Sequence, residues 1–443
     1  MPPEAAGRPS RSRIARTARL AVLPASFAGR TAVGLGRRIG GRPAEAVAAQ
    51  VQQRTAQQLF ATLGELKGGA MKVGQAMSAM EAALPEALAG PYREALVQLQ
   101  EAAPPMPAAL VHQQLAAALG GDWRTRFREF GDRPVAAASV GQVHRAVWDD
   151  GTAAGTPVAV KVQYPGAGDA LVADLGVLQT VVPLMRAAAP GMDARALVAE
   201  LRARVVEEVD YPHEAAAQTA FADAYAGDPD IAVPEVLAVE PGVLVTRWVG
   251  GTPLSRVIAE GGTADRDRAG LLLLRLFASA PVRAGKLHGD PHPGNFRLLD
   301  DGRLAVLDFG ATEDLPAGWP TRLGPLLAAG RDGDAATMHH LAGAAGLLQP
   351  GAVSPGALAA LLDPYLEPLR TPSYRFTRGW MQEQTRRASD PLGAASRTQR
   401  RMSIPPRHLL LQRVAVGLVG VLCSLGATVA VDAEVRRWLP GYR

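Results

Sequence analysis

His288-Gly289-Asp290-Pro291-His292-Pro293-Gly294-Asn295, followed by Asp308-Phe309-Gly310, is the stretch on which the reading of this chain turns. Between the two motifs, apolar runs at 296–299 and 304–307 flank the turn-forming Asp300-Asp301-Gly302. That pattern predicts a hairpin that delivers Asp308 at the end of a strand. Asp290, Asn295 and Asp308 are hard oxygen donors of the kind that suits Mg²⁺. Transfer of a phosphoryl group asks little covalent chemistry of a protein; it needs metal-bridged phosphates, a cation on them and an oriented acceptor. A competing reading makes His288, Asp290 and His292 a transition-metal site. Gly289, Pro291 and Pro293 argue against it, because they prevent the helical i, i+4 geometry that a histidine pair exploits.

The five-residue separation of Asp290 and Asn295 is that of kinase catalytic loops, where the Asp orients the acceptor and the Asn ligates Mg²⁺. His-Gly-Asp followed by Asn also occurs in small-molecule kinases of the aminoglycoside and choline type, so the loop indicates fold more than substrate. The cation is supplied by Lys161 in Val158-Ala159-Val160-Lys161, at the end of a predicted strand. A lysine there needs a carboxylate to hold it, and Glu214, just after Tyr211-Pro212-His213, is the candidate. Neither a GxGxxG loop nor a Walker P-loop is present. In the expected place stands Ala136-Ala137-Ala138-Ser139-Val140-Gly141. Alanine resists backbone conformations open to glycine, which predicts a stiffer phosphate cradle.

Periodicity sets out the rest of the chain. Residues 44–100 are rich in Ala, Gln, Glu and Leu at helical spacing, and 107–119 reads as one more helix after a proline run. Residues 143–148 and 158–162 read as a hairpin around Asp149-Asp150-Gly151, residues 169–226 as helical, and 233–239 with 243–248 as a second strand pair. Gly250-Gly251-Thr252-Pro253 reads as a flexible joint before a mostly helical remainder. Four segments result: an arm over 1–43, a helical extension over 44–130, a strand-rich lobe over 131–250 and a helical lobe over 251–443. The fold class is α+β, with two lobes and a cleft between them.

Bulk composition narrows the class further. The chain has 443 residues, 48% of them hydrophobic, which places it among ordinary globular proteins. Cys423 is the single cysteine, so no intrachain disulfide forms, and an intracellular, reducing location is expected. The net charge of +5 is concentrated in residues 1–42, whose nine Arg and one acid give +8 and leave −3 for the remainder. An arm of this kind suits an anionic membrane surface better than nucleic acid, since no aromatic residue is interleaved for base stacking. Residues 414–431 form an apolar stretch of 18 without a charge, diluted by Gly417, Gly420, Ser424, Gly426 and Thr428. A helix packed inside the domain is the favoured reading over a membrane span.

The alanine-rich loop, together with Lys72-Val73-Gly74-Gln75 and Glu208-Val209-Asp210, resembles the UbiB/AarF/ADCK family of atypical kinases over roughly residues 50–435. The resemblance implies a kinase-like fold whose helical extension packs over the active site, with Lys72 and Gln75 in the occluding motif. It further implies that Glu208 and Asp210 belong to this regulatory set, Glu208 pairing with Lys72. The implied cofactors are ATP and Mg²⁺, with Asp290, Lys161 and Glu214 catalytic, Asn295 and Asp308 on the metal, and residues 136–141 with Lys161 on the nucleotide. Gln218 departs from the Asn frequent in the family at that point. The implied function is an ATP-dependent kinase or ATPase supporting isoprenoid-quinone or other lipid metabolism, cytoplasmic and peripheral to the inner face of the membrane. The partners considered are ATP, a lipid or quinone precursor, an anionic membrane surface and a second copy of the chain as a homodimer; nucleic acid is not expected. Two other classes are weighed: a nucleotide-binding scaffold that organises a biosynthetic complex, and a conventional protein or small-molecule kinase.

Overall fold

The computed structural model describes residues 105–138, 140–166, 209–349, 351–390, 393–402 and 406–443. The basic arm, Lys72, Gln75, Ser139 and Glu208 lie outside the described residues, as do the segments 44–104 and 167–208.

Strand alternation builds the first lobe. β1 (Phe127–Phe130), β2 (Ala136–Ala138), β3 (Gly141–Trp148), β4 (Thr156–Gln163), β6 (Val236–Glu240) and β7 (Val243–Arg247) form an antiparallel sheet in the order β1-β3-β4-β7-β6, with β2 paired to β3. Successive residues of a strand face opposite sides of the sheet. Val158, Val160 and Val162 of β4 are therefore buried on one face, against Val111, Leu115 and Leu119 of helix α1 (Ala108–Leu119). Lys161, between two of these valines, faces the other side, where helix α2 (Tyr211–Ala224) lies. α1 and β1 pack into this lobe's core with Trp123 and Phe127, so the boundary drawn at 130 falls inside the lobe.

The lobes meet at a joint that is bonded in place. Gly251 has φ +81°, and a Cβ there would stand 2.5 Å from the Leu298 carbonyl oxygen, so only glycine fits. Thr252–Pro253 (β8) pairs with β10 (Phe296–Leu298), and the Arg297 guanidinium donates to the carbonyls of Gly250 and Gly251 at 2.6 to 3.2 Å. The segment read as a flexible joint is thus a pinned one. Its glycines serve close approach.

The second lobe is organised around one buried helix. Helix α3 (Leu254–Glu260) leads into α4 (Thr263–Arg283), which buries Leu272, Leu273, Leu276, Phe277 and Ala280. Around it pack α5 (Leu323–Arg331), α6 (Ala335–Ala344), α7 (Pro355–Leu366), α8 (Arg378–Ser389), α9 (Ala394–Gln399), α10 (Pro406–Leu425) and α11 (Val431–Trp438). The apolar stretch at 414–431 is mostly α10, which buries Val414, Leu418, Val421, Leu422 and Leu425 inside this lobe. Among the described residues, no helix is long and apolar enough to cross a membrane. A small sheet in the order β5-β11-β10-β8, with β5 (Ile231–Ala232) and β11 (Leu304–Val306), sits beneath the cleft beside the pair β9 (Lys286–His288) and β12 (Thr312–Asp314). The predicted hairpin around Asp300-Asp301-Gly302 is β10–β11, registered Phe296 to Val306.

Candidate active site

Lys161 leaves β4 toward α2, and its ammonium donates to both carboxylate oxygens of Glu214, at 2.9 and 2.8 Å. Glu214 stands in the first turn of α2, where a carboxylate also complements the positive end of the helix dipole. The helix begins where it does because the Asp210 carboxylate caps it, accepting the His213 amide at 3.0 Å. Asp210 was expected in the regulatory set; what the geometry shows is a cap that places Glu214. Asp308 approaches the same ammonium at 3.6 Å. Exposure grades across the three groups, 2% for Glu214, 17% for Lys161 and 42% for Asp308, so Glu214 is the anchor and Asp308 the group open to the cleft. Burial works against the ammonium's charge, but the carboxylates of Asp308 and Glu214 outweigh it and hold the Lys161 pKa above the ordinary lysine value. Burial likewise pushes the Glu214 carboxyl upward, opposed by Lys161.

The catalytic loop holds its own acid in place. Asp290 Oδ1 accepts the His292 amide at 3.2 Å, and Oδ2 accepts the Asn295 side-chain NH₂ at 3.0 Å. That commits the nitrogen of Asn295 and leaves its carbonyl oxygen for a cation. The Asp290 amide donates to His288 Nδ1 at 3.3 Å, so the ring proton is on Nε2, which donates to the Asp308 carbonyl at 2.8 Å. Both ring nitrogens of His288 are therefore engaged within the fold, which takes this histidine out of any metal-ligand set. Burial depresses its pKa below the usual histidine value and keeps it neutral. The loop is joined to the strand before Asp308 by the Leu307 amide, which donates to the Asn295 carbonyl at 2.8 Å.

Aromatic packing connects this loop to α2. Phe309 is fully buried, its ring 5.1 Å from Phe221 of α2 and 5.8 Å from His288. In kinases the lysine–glutamate pair must be in place and the packing of this phenylalanine sets the state of the site; here Lys161 and Glu214 are paired and Phe309 is buried. Sequence reasoning missed Phe221 and Tyr211. Tyr211 is wholly buried under the site, with the Lys161 ammonium 5.0 Å from its ring centroid. Their helical spacing in α2 was the available signal: Tyr211 and Phe221 fall on the buried side with Glu214 and Gln218.

The alanine-rich segment is a strand. Ala136 to Ala138 pair with Val143 to Gly141. Gly141 lies so close to β4 that a Cβ would stand 2.3 Å from the Val162 carbonyl oxygen. Val140 is buried against Tyr211, Ala215 and Leu244, and its carbonyl accepts the Tyr164 amide. Packing thus accounts for Val140 and Gly141. As a metal site, Asn295 and Asp308 offer two hard oxygens; Mg²⁺ suits such a pair, since it keeps waters and takes its remaining ligands from phosphate.

Residues 98–342 match the model of the ABC1 atypical kinase-like domain, which covers more than half of the chain. The chain belongs to this family. Within it, the chain is 34% identical over 270 residues to atypical kinase coq-8, mitochondrial, of Caenorhabditis elegans, spanning 59% of this chain and 35% of that protein. It is 28% identical over 292 residues to atypical kinase COQ8B, mitochondrial, of Danio rerio, spanning 65% and 45%. A third relative, protein ACTIVITY OF BC1 COMPLEX KINASE 1, chloroplastic, of Arabidopsis thaliana, is 31% identical over 264 residues. This ABC1-family chain spans under half the length of each of these relatives. A solved structure, Rv3197 from Mycobacterium tuberculosis in complex with erythromycin, shares 43% identity and covers 90% of this chain and 99% of that one, with a TM-score of 0.68.

Proposed function

We propose that this ABC1-family chain is an Mg²⁺-dependent ATPase or atypical kinase acting on a lipid-like ligand. The observation that carries the reading is the intact set of Lys161 on Glu214, Asp308 beside the same ammonium, and Asp290 held by Asn295. Lys161 would meet the phosphates, Asn295 and Asp308 would hold the metal, and Asp290 would orient the attacking hydroxyl or water. Bound Mg²⁺ neutralises charge that develops on the transferred group. A scaffold without chemistry would be free to lose these groups; all are present and in contact.

The acceptor rests on the relatives and on the chain's likeness to them. The coq-8 and COQ8B names attach to mitochondrial atypical kinases, and the family resemblance points to isoprenoid-quinone metabolism at a membrane surface. The erythromycin complex supports a second reading, in which the ligand is a bulky, partly apolar macrocycle. The experiment is Mg²⁺-ATP turnover measured alone, with anionic vesicles, with a phenolic quinone-precursor mimic and with erythromycin, each beside Asp308→Asn. Stimulation by vesicles and the phenol supports the lipid reading. Stimulation by erythromycin alone would replace it with the macrocycle reading, and phosphate transfer to a generic protein would contradict both.

A further inference from the structure

Protein kinases carry an arginine between the histidine and aspartate of the catalytic loop, and Gly289 occupies that place here. No side chain fits at 289. The Gly289 amide donates to the Ala311 carbonyl at 2.6 Å, and a Cβ on this residue would stand 2.6 Å from the same oxygen. A guanidinium nevertheless reaches this peptide from 124 residues downstream: Arg413 Nη2, on α10, donates to the Gly289 carbonyl at 3.1 Å. Four residues further along α10 is Gly417, where a Cβ would meet Cγ of Pro291 at 2.6 Å. Three residues before Arg413, Leu410 comes within 3.6 Å of the Cβ position of Gly289. Leu410, Arg413 and Gly417 share one face of the helix, and that face runs along residues 289–291 with Asp290 in the middle.

The peptide unit between Gly289 and Asp290 is planar, so holding both its polar ends fixes its rotation. Its N–H is held by His288 Nδ1 and its C=O by Arg413. We propose that Arg413 is the positioning residue of the catalytic loop, setting the aim of the Asp290 carboxylate through the Gly289 carbonyl from outside the loop. The expected effect on turnover rests on the phosphoryl-transfer reading; the order of the loop does not, and supplies an independent readout.

The test uses the full chain with Arg413→Met, which keeps the apolar stem, and Arg413→Lys, which keeps a charged donor. Arg413→Met lowers kcat about 100-fold at unchanged KM for ATP, the size of effect that follows a small misplacement of a reacting group. Arg413→Lys recovers kcat to within about tenfold of the parent, because one charged hydrogen bond is restored. Hydrogen exchange at the amides of residues 289–295 speeds up at least ~10-fold in Arg413→Met, with residues 156–163 unchanged, as local opening requires. Val416→Ala, on the exposed side of α10, changes neither readout. Parent-like kcat and loop protection in Arg413→Met would overturn the proposal, as would protection lost equally across the whole lobe or a lysine that recovers nothing. If the parent itself consumes no ATP, the functional reading fails and the exchange result alone decides the role of Arg413.

Discussion

Lys161 and Glu214 form a pair whose two members face unequal consequences when one is lost. With Glu214 2% exposed, deletion of the ammonium leaves a buried carboxylate without its countercharge, with the Phe309 backbone hydrogen bond remaining. Lys161→Met is expected to destabilise the chain by about 3–5 kcal/mol at pH 7, and Lys161→Met with Glu214→Leu by clearly less, as read from urea unfolding midpoints. Equal losses in the single and double variants would show that the pair is not the source. His288 and His144 supply a pH dependence with a definite sign. Burial holds both below the ordinary value of 6.5, so the folded chain keeps them neutral where the unfolded chain takes up protons. Stability is full above pH 6.5 and falls as the pH drops through the depressed folded values. A protonated Nδ1 also cannot accept the Asp290 amide, so turnover falls in the same window. Unfolding midpoints measured downward from pH 7.5 check this, and a flat or rising trend would contradict it.

The elements differed in how far the sequence disclosed them, and the reason is locality. β3 and β4, and β10 and β11, were legible because alternation and a Gly-containing turn are both written within about two dozen residues. α10 was legible as an internal helix from its glycines and its charged flanks. β1 was not anticipated, since Phe127–Phe130 owes its strand to pairing with residues 146–148 and to packing against Trp123. The alanine segment was read as a loop because alanine carries little strand preference; pairing with β3 decides it. In the site, Lys161, Asp290, Asn295 and Asp308 were legible from motifs. Arg413 was not, because nothing local marks a residue that acts 124 positions away. At this scale α2 offers its own test. Asp210→Ala removes the cap and is expected to cost about 1 kcal/mol, whereas Asp210→Ser retains most of it. The loss appears as faster hydrogen exchange in the first turn of α2 and weaker ATP binding, since the cap holds Glu214 under Lys161. Unchanged exchange in Asp210→Ala would assign the helix start to Pro212 alone.

Across the whole molecule, two connections bring the two lobes to one site, and a third orders the catalytic loop within the second lobe. The joint at Gly251 is pinned to β10, Phe309 bridges Phe221 of α2 to His288, and α10 lies along the catalytic loop. Each draws on residues far apart in the chain, so the cleft is a property of the assembled fold. The proposed function of this assembled cleft is metal-dependent chemistry on ATP. It is tested most directly by ATP consumption as a function of Mg²⁺ in the parent chain and in Asp308→Asn, with ATP binding measured in parallel. Turnover that requires Mg²⁺ and falls at least ~100-fold in Asp308→Asn while the fold is retained is the result expected from loss of a metal ligand. ATP bound with equal affinity by both chains and consumed by neither, with vesicles present or absent, would contradict the account.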